Sequence, residues 1–160
     1  MDPTHPFTRK TTEGFARRVR KNLQFIMTKR AEGEDVHEVT QLAISLLGLV
    51  VFPWEDHALK SLEQLSLAEI EEQGWPRWRI TLDEKANTRT LGKLIKHLRN
   101  AASHRRITFS SDHPEMAMVD ITFEDAPDRR KPINWRATIN AADLKDFCDR
   151  FTTMLEEAVG

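Results

Sequence analysis

The sequence predicts a mainly α domain, a helical bundle with a small antiparallel β-sheet inserted before the C-terminal helix. Three observations carry this. A chain of 160 residues has length enough for one buried core and too little for a second ordinary domain, so 1–160 is expected to be a single domain with residues 1 to about 10 as a flexible arm. Up to residue 102, apolar residues recur mostly at the 3.6-residue period of an α-helix. After His104 the period becomes 2, and over the last twenty residues it returns to 3.6.

Taken in order, the first helix is expected to start at a cap supplied by Thr11 or Thr12, with the stripe Phe15, Val19, Leu23 and Ile26 running to about Arg30. Gly33 and the Glu34-Asp35 pair separate it from a second helix over Val36 to Phe52. That helix is apolar on most sides, as one buried in a bundle or at a subunit interface would be, and Pro53 stops it. A third, weaker helix is read from Leu59 to about Glu72, ended by Gly74. The segment GWPRWRITL follows as an irregular or extended linker, whose Trp75 and Trp78 either close a core edge or stack on bases. A fourth helix starts near Thr88 or Thr90 and carries Leu91, Leu94, Ile95 and Leu98 on towards Ala102. Two or three strands are expected around Ile107 and Phe109, around Ala117, Val119, Ile121 and Phe123, and around Trp135, Ala137 and Ile139. Asn140 or Asp143 then caps a last helix with the stripe Leu144, Phe147, Cys148, Phe151, Met154 and Leu155.

Composition narrows the function classes. With 24 basic side chains against 25 acidic ones the net charge is -1, so any anion-binding surface has to be local. Cys148 is the single cysteine, which excludes an internal disulfide and any multi-cysteine zinc site, and suits a reducing, cytoplasmic setting. The longest apolar stretch, Leu42 to Trp54, is interrupted by Ser45, Gly48 and Pro53 and is too short for a bilayer, and the N-terminus lacks the apolar core of a signal peptide. There is no tyrosine, no phosphate-binding glycine loop, no G-x-S-x-G and no H-E-x-x-H. His37-Glu38 and Asp56-His57 lack the further ligands a metal needs, so neither a metal site nor a cofactor is expected.

What remains is LGKLIKHLRNAASHRRITF, residues 91–109, which places Arg99, Asn100 and His104 at a helix end. A permanent cation beside an imidazole, a group that ordinarily titrates near pH 6.5, suits phosphodiester chemistry. Metal-free RNA cleavage needs a base for the ribose 2′-OH, an acid for the leaving 5′ oxygen and a cation for the phosphorane charge. Three arginine–histidine pairs with four to six residues between them occur, Arg99/His104, Arg30/His37 and Arg106/His113. Only the first has an amide directly after the arginine and ends a strongly periodic helix.

The stretch LRNAASH closely resembles the motif of the HEPN superfamily, arginine followed by a polar residue, often Asn, and a histidine after a short spacer. The wider order of helices, strands and closing helix looks like the HEPN subgroup found on plasmids and in bacterial defence loci. The resemblance implies a homodimeric, metal-independent endoribonuclease, commonly a toxin or defence effector, with a composite active site where two motif helices meet. It implies catalytic roles for Arg99 and His104 and a helper role for Asn100. The products would carry 2′,3′-cyclic phosphate and 5′-hydroxyl ends.

Helix geometry favours the same dimer. On an unbroken helix Arg99 and His104 point about 140° apart, and Asn100 and His104 about 40° apart, so two chains aim both groups at one phosphate more easily than one chain does. The alternative is a helix that ends before His104, with the turn swinging it round. Lys96, Arg105 and Arg106 are candidate RNA phosphate contacts, and Arg129, Arg130 and Lys131 lie in a solvated loop between strands. Arg105 stands where relatives often have glycine, and the absence of tyrosine removes a modification route by which some such toxins are neutralised. An antitoxin or regulatory protein could still act by binding. Two further readings stay open: a noncatalytic HEPN-type dimer that binds a nucleotide or a protein partner, and an unrelated helical domain in which Arg99 and His104 are ordinary helix-end residues.

Overall fold

The computed structural model describes residues 6–51, 60–84 and 87–159. In chain order the elements are α1 (Pro6–Ala31), α2 (Glu38–Val51), α3 (Lys60–Glu63), α4 (Leu67–Glu72), β1 (Arg79–Asp83), α5 (Leu91–Ser103), β2 (Ile107–Phe109), a 3-10 turn (Met116–Met118), β3 (Asp120–Asp125), β4 (Trp135–Asn140) and α6 (Ala141–Val159). The chain is mainly helical. No described helix is long and apolar enough to cross a membrane.

The long helices α1, α2 and α6 pack on one another, and α2 also packs on α5. Ala16 and Leu23 of α1, Val39, Leu42, Leu46 and Leu49 of α2, and Leu144, Phe147, Cys148, Phe151 and Leu155 of α6 are buried, as their helical spacing requires. Helix α1 begins at Pro6, ahead of Thr11 and Thr12, because proline presets the backbone for the first helical position. Residues 1–5, and with them Pro3, lie outside the described residues, as do Pro53 and the Asp56-His57 pair.

Two expectations are corrected. The single third helix is two short ones, because the backbone between them is taken by a distant partner. Leu67 N–H donates to Arg89 O at 2.9 Å and Leu91 N–H to Leu65 O at 2.8 Å, with Ser66 and Thr90 paired as an antiparallel bridge. Ser66 then caps α4, its hydroxyl accepting from Glu69 N–H at 3.5 Å.

The sheet, moreover, has four strands in the order β1-β4-β3-β2, all antiparallel. The RITL part of the expected linker forms, with Asp83, the edge strand β1, so one strand precedes α5 and three lie between α5 and α6. Ile121, Phe123, Trp135, Ala137 and Ile139 form its buried face. Trp75 and Trp78 meet Phe147 edge-on at 5.5 and 5.4 Å between centroids. Both are buried, so they close the core and offer no platform for bases. Asn140, one of the two expected caps, starts α6 by accepting from Ala142 N–H at 3.0 Å.

Two predictions follow from this packing. A Cβ at Gly92 would sit 2.8 Å from both Cβ and the carbonyl oxygen of Glu63, so Gly92→Ala is expected to lower stability by about 1–3 kcal/mol, read as an earlier chemical-denaturation midpoint. Burial, reinforced by Asp149 and only partly opposed by Lys145, pushes the Cys148 thiol well up. Cys148 should therefore resist a thiol-exchange reagent in the folded protein and react on unfolding. Above about pH 8.5, where the thiol of an unfolded chain ionises and the native one does not, this group favours unfolding.

Candidate active site

Strand β3 alternates so that Ile121, Phe123 and Asp125 all face inward, which puts a carboxylate on an apolar surface. Its register partner on β4 is Trp135, also inward and fully buried. Helix α5 lies against β3 and brings donors to that carboxylate. His97 Nδ1 lies 2.8 Å and Asn100 Nδ2 3.1 Å from Asp125 Oδ2, while Ala126 N–H donates to Oδ1 at 2.8 Å. The His97 ring stacks on Trp135 with centroids 4.4 Å apart and planes 8° from parallel. Trp135 Nε1 donates to Thr88 Oγ1 at 3.1 Å, and Thr88 is held by Asp83 through its backbone N–H at 2.9 Å and its hydroxyl at 3.3 Å. A chain of polar contacts therefore runs from the end of β1 through the entry to α5 and on to the end of β3.

Helix α5 starts at Thr90, whose hydroxyl accepts from Lys93 N–H at 3.3 Å. It ends at Ser103 with His104 as its C-cap, which settles where the helix stops relative to that histidine. Arg105 N–H donates to Ala102 O at 3.2 Å and Arg106 N–H to Ala101 O at 2.8 Å, the paired closing bonds of a Schellman turn. That turn requires a left-handed residue after the cap. Arg105 takes it at φ +57°, where glycine would be unstrained. Glu124 N–H then donates to Arg106 O at 2.9 Å, so the helix runs without slack into the β2–β3 ladder.

These constraints fix where each sequence-predicted residue falls. His104 and Arg105 are exposed at the turn, Lys96 is exposed on the helix, and Arg99 and Arg106 are half-buried. Asn100 is half-buried and spends an amide N–H on Asp125, so it clamps the helix to the sheet. The rival pairs have other work. His37 caps α2, its Nδ1 accepting from Thr40 N–H at 3.2 Å, and His113 Nδ1 accepts from Glu115 N–H at 3.0 Å.

Sequence reasoning takes His97 only as a basic neighbour of the motif and misses Asp125. The signal was present in two periods: Asp125 continues the inward alternation of Ile121 and Phe123, and His97, Asn100 and His104 stand at i, i+3 and i+7 on one helical stripe. Elsewhere, a groove of about 370 Å³ lined by Trp75, Asp146, Asp149, Arg150 and Glu157 has three carboxylates against one guanidinium, the wrong charge for a nucleic-acid backbone. Among the described residues no three His, Cys, Asp or Glu side chains form a group able to hold a metal ion.

Comparison with known proteins gives one match across nearly the whole chain. No curated protein and no solved structure matches. The family described as HEPN pEK499 p136 matches residues 2–160. With its motif helix seated on the sheet and Arg99, Asn100 and His104 at that helix's end, this chain belongs to the HEPN pEK499 p136 family.

Proposed function

We propose that the protein is a metal-independent endoribonuclease of HEPN type, acting as a toxin or defence effector. The observation that carries this reading is the exposed His104 at the end of a motif helix, in a stretch whose residues 91–106 hold five Lys and Arg and no Asp or Glu. Such a field attracts a polyanion despite the net charge of -1. In this reading His104 exchanges protons as general acid/base, Arg99 stabilises the phosphorane charge, and Asn100 holds the motif helix in place through Asp125. Lys96, Arg105 and Arg106 contact RNA phosphates. In this reading the active unit is a homodimer in which the motif helices of two chains meet and together supply Arg99 and His104 to one phosphate. An antitoxin or regulatory protein would act by covering this surface.

The test is cleavage of mixed cellular RNA in EDTA by wild type and His104→Ala, with the product ends mapped. Wild type is expected to leave 2′,3′-cyclic phosphate and 5′-hydroxyl ends, with the variant slower by about 100-fold or more. Products with 5′-phosphates, or activity abolished by chelation, would contradict the mechanism. A stable wild-type dimer that cuts no RNA would favour a noncatalytic module binding a nucleotide or a protein.

Arg105 separates stability from function. Replacing it by glycine relieves a left-handed backbone and should raise stability by about 1 kcal/mol, a shift of roughly 2–4 °C in Tm for a chain of this size. The same variant should bind RNA more weakly and with a shallower salt dependence, because one phosphate contact is gone. Unchanged RNA affinity would remove Arg105 from the binding surface.

A further inference from the structure

We infer that His97, oriented by Asp125, is a second proton-transfer group of the site and serves as the general base that activates the ribose 2′-OH. This rests on the ribonuclease reading and adds to it a base that the Arg99/His104 motif does not name.

Two groups constrain the His97 ring, the Asp125 carboxylate and the Trp135 indole. Asp125 is buried, and its carboxylate can only accept hydrogen bonds, so the nitrogen 2.8 Å from Oδ2 has to carry the proton. Asn100 Nδ2 donates to the same oxygen and Ala126 N–H to the other. Trp135 stacks against the imidazole plane and fixes its tilt. With Nδ1–H committed, the lone pair lies on Nε2. That atom makes no hydrogen bond to another described residue, and the side chain is 14% exposed.

A histidine held by a buried carboxylate, with its other nitrogen open, is set up to take a proton, because the carboxylate stabilises the imidazolium that forms. His97 lies on the same helix that ends at His104, seven residues on, so the segment carries two imidazoles for the two proton transfers that the reaction needs.

The step balances as follows. The 2′ oxygen attacks phosphorus, its proton passing to His97 Nε2 as the O2′–P bond forms. The P–O5′ bond breaks, and the departing 5′ oxygen takes a proton from His104. Arg99 bears the charge that builds on the non-bridging oxygens. Asp125 is a positioning residue that holds the tautomer.

The roles separate on a substrate whose leaving group needs no acid. Uridine 3′-(4-nitrophenyl phosphate) expels nitrophenolate without protonation, so it depends on the base alone. His97→Asn keeps an N–H near the Nδ1 position for Asp125 and removes Nε2. Asp125→Asn keeps the shape and lets an amide donate to Nδ1, which moves the ring proton to Nε2. Both full-length variants are expected to stay folded and to lose about 100-fold or more on RNA and on the nitrophenyl ester alike. His104→Ala should lose that much on RNA and stay within a few-fold of wild type on the ester.

If wild type cuts RNA and His104→Ala does not, while folded His97→Asn cuts at the wild-type rate, this inference fails and the ribonuclease reading stands. A His97→Asn protein slow on RNA but normal on the ester would overturn the base assignment. Wild type inert towards both substrates would overturn the ribonuclease reading and this inference with it. If His97→Asn unfolds, Asp125→Asn decides by the same comparison.

Discussion

A carboxylate on the apolar face of a strand dictates the arrangement of this site. An ionised group buried without donors costs far more than a single hydrogen bond returns, so Asp125 is tolerated only because His97, Asn100 and the Ala126 amide converge on it. Two of those donors lie on α5, one turn apart. The helix therefore cannot slide or rotate on the sheet without leaving a buried charge unpaired. Trp135 extends the constraint to β4 and, through Thr88 and Asp83, to the segment that feeds α5. The motif helix is thereby fixed at its middle and at its entry by groups of which only Asn100 belongs to the motif.

The exit of the helix is fixed by a different device. Two closing hydrogen bonds and the β2–β3 ladder hold the turn after His104 whatever residue occupies its left-handed position. Arginine there costs backbone strain that glycine would avoid, and the surrounding structure over-determines the conformation enough to hold it. The strain falls at the edge of the exposed cationic surface, beside His104.

Much of this was legible in the sequence, for physical reasons that also explain the gaps. Helices α5 and α6 announced themselves because Leu94, Leu98, Leu144, Phe147 and Phe151 repeat on one face and Thr90 and Asn140 cap them locally. The break between α3 and α4 was not legible, since the bonds that compete with the helix come from Arg89 and Leu91, outside any local window. Strand β1 was hidden for the same reason: its pairing of Arg79 with Thr138 spans most of the second half of the chain. Within the site, local pattern led to Arg99, Asn100 and His104. Asp125 reads as one more turn aspartate until the alternation of Ile121 and Phe123 is followed one step further. His97 reads as a basic neighbour until a partner across the sheet is known.

The claim that Asp125 sets the orientation of His97 is tested most directly by long-range proton–nitrogen NMR of the histidine side chains, with His97 assigned by its loss in His97→Asn. The account predicts an Nδ1–H tautomer for His97 whose ring proton exchanges slowly with water, as a hydrogen bonded to a buried carboxylate does. An Nε2–H tautomer, or a ring proton exchanging as fast as that of exposed His104, would contradict it.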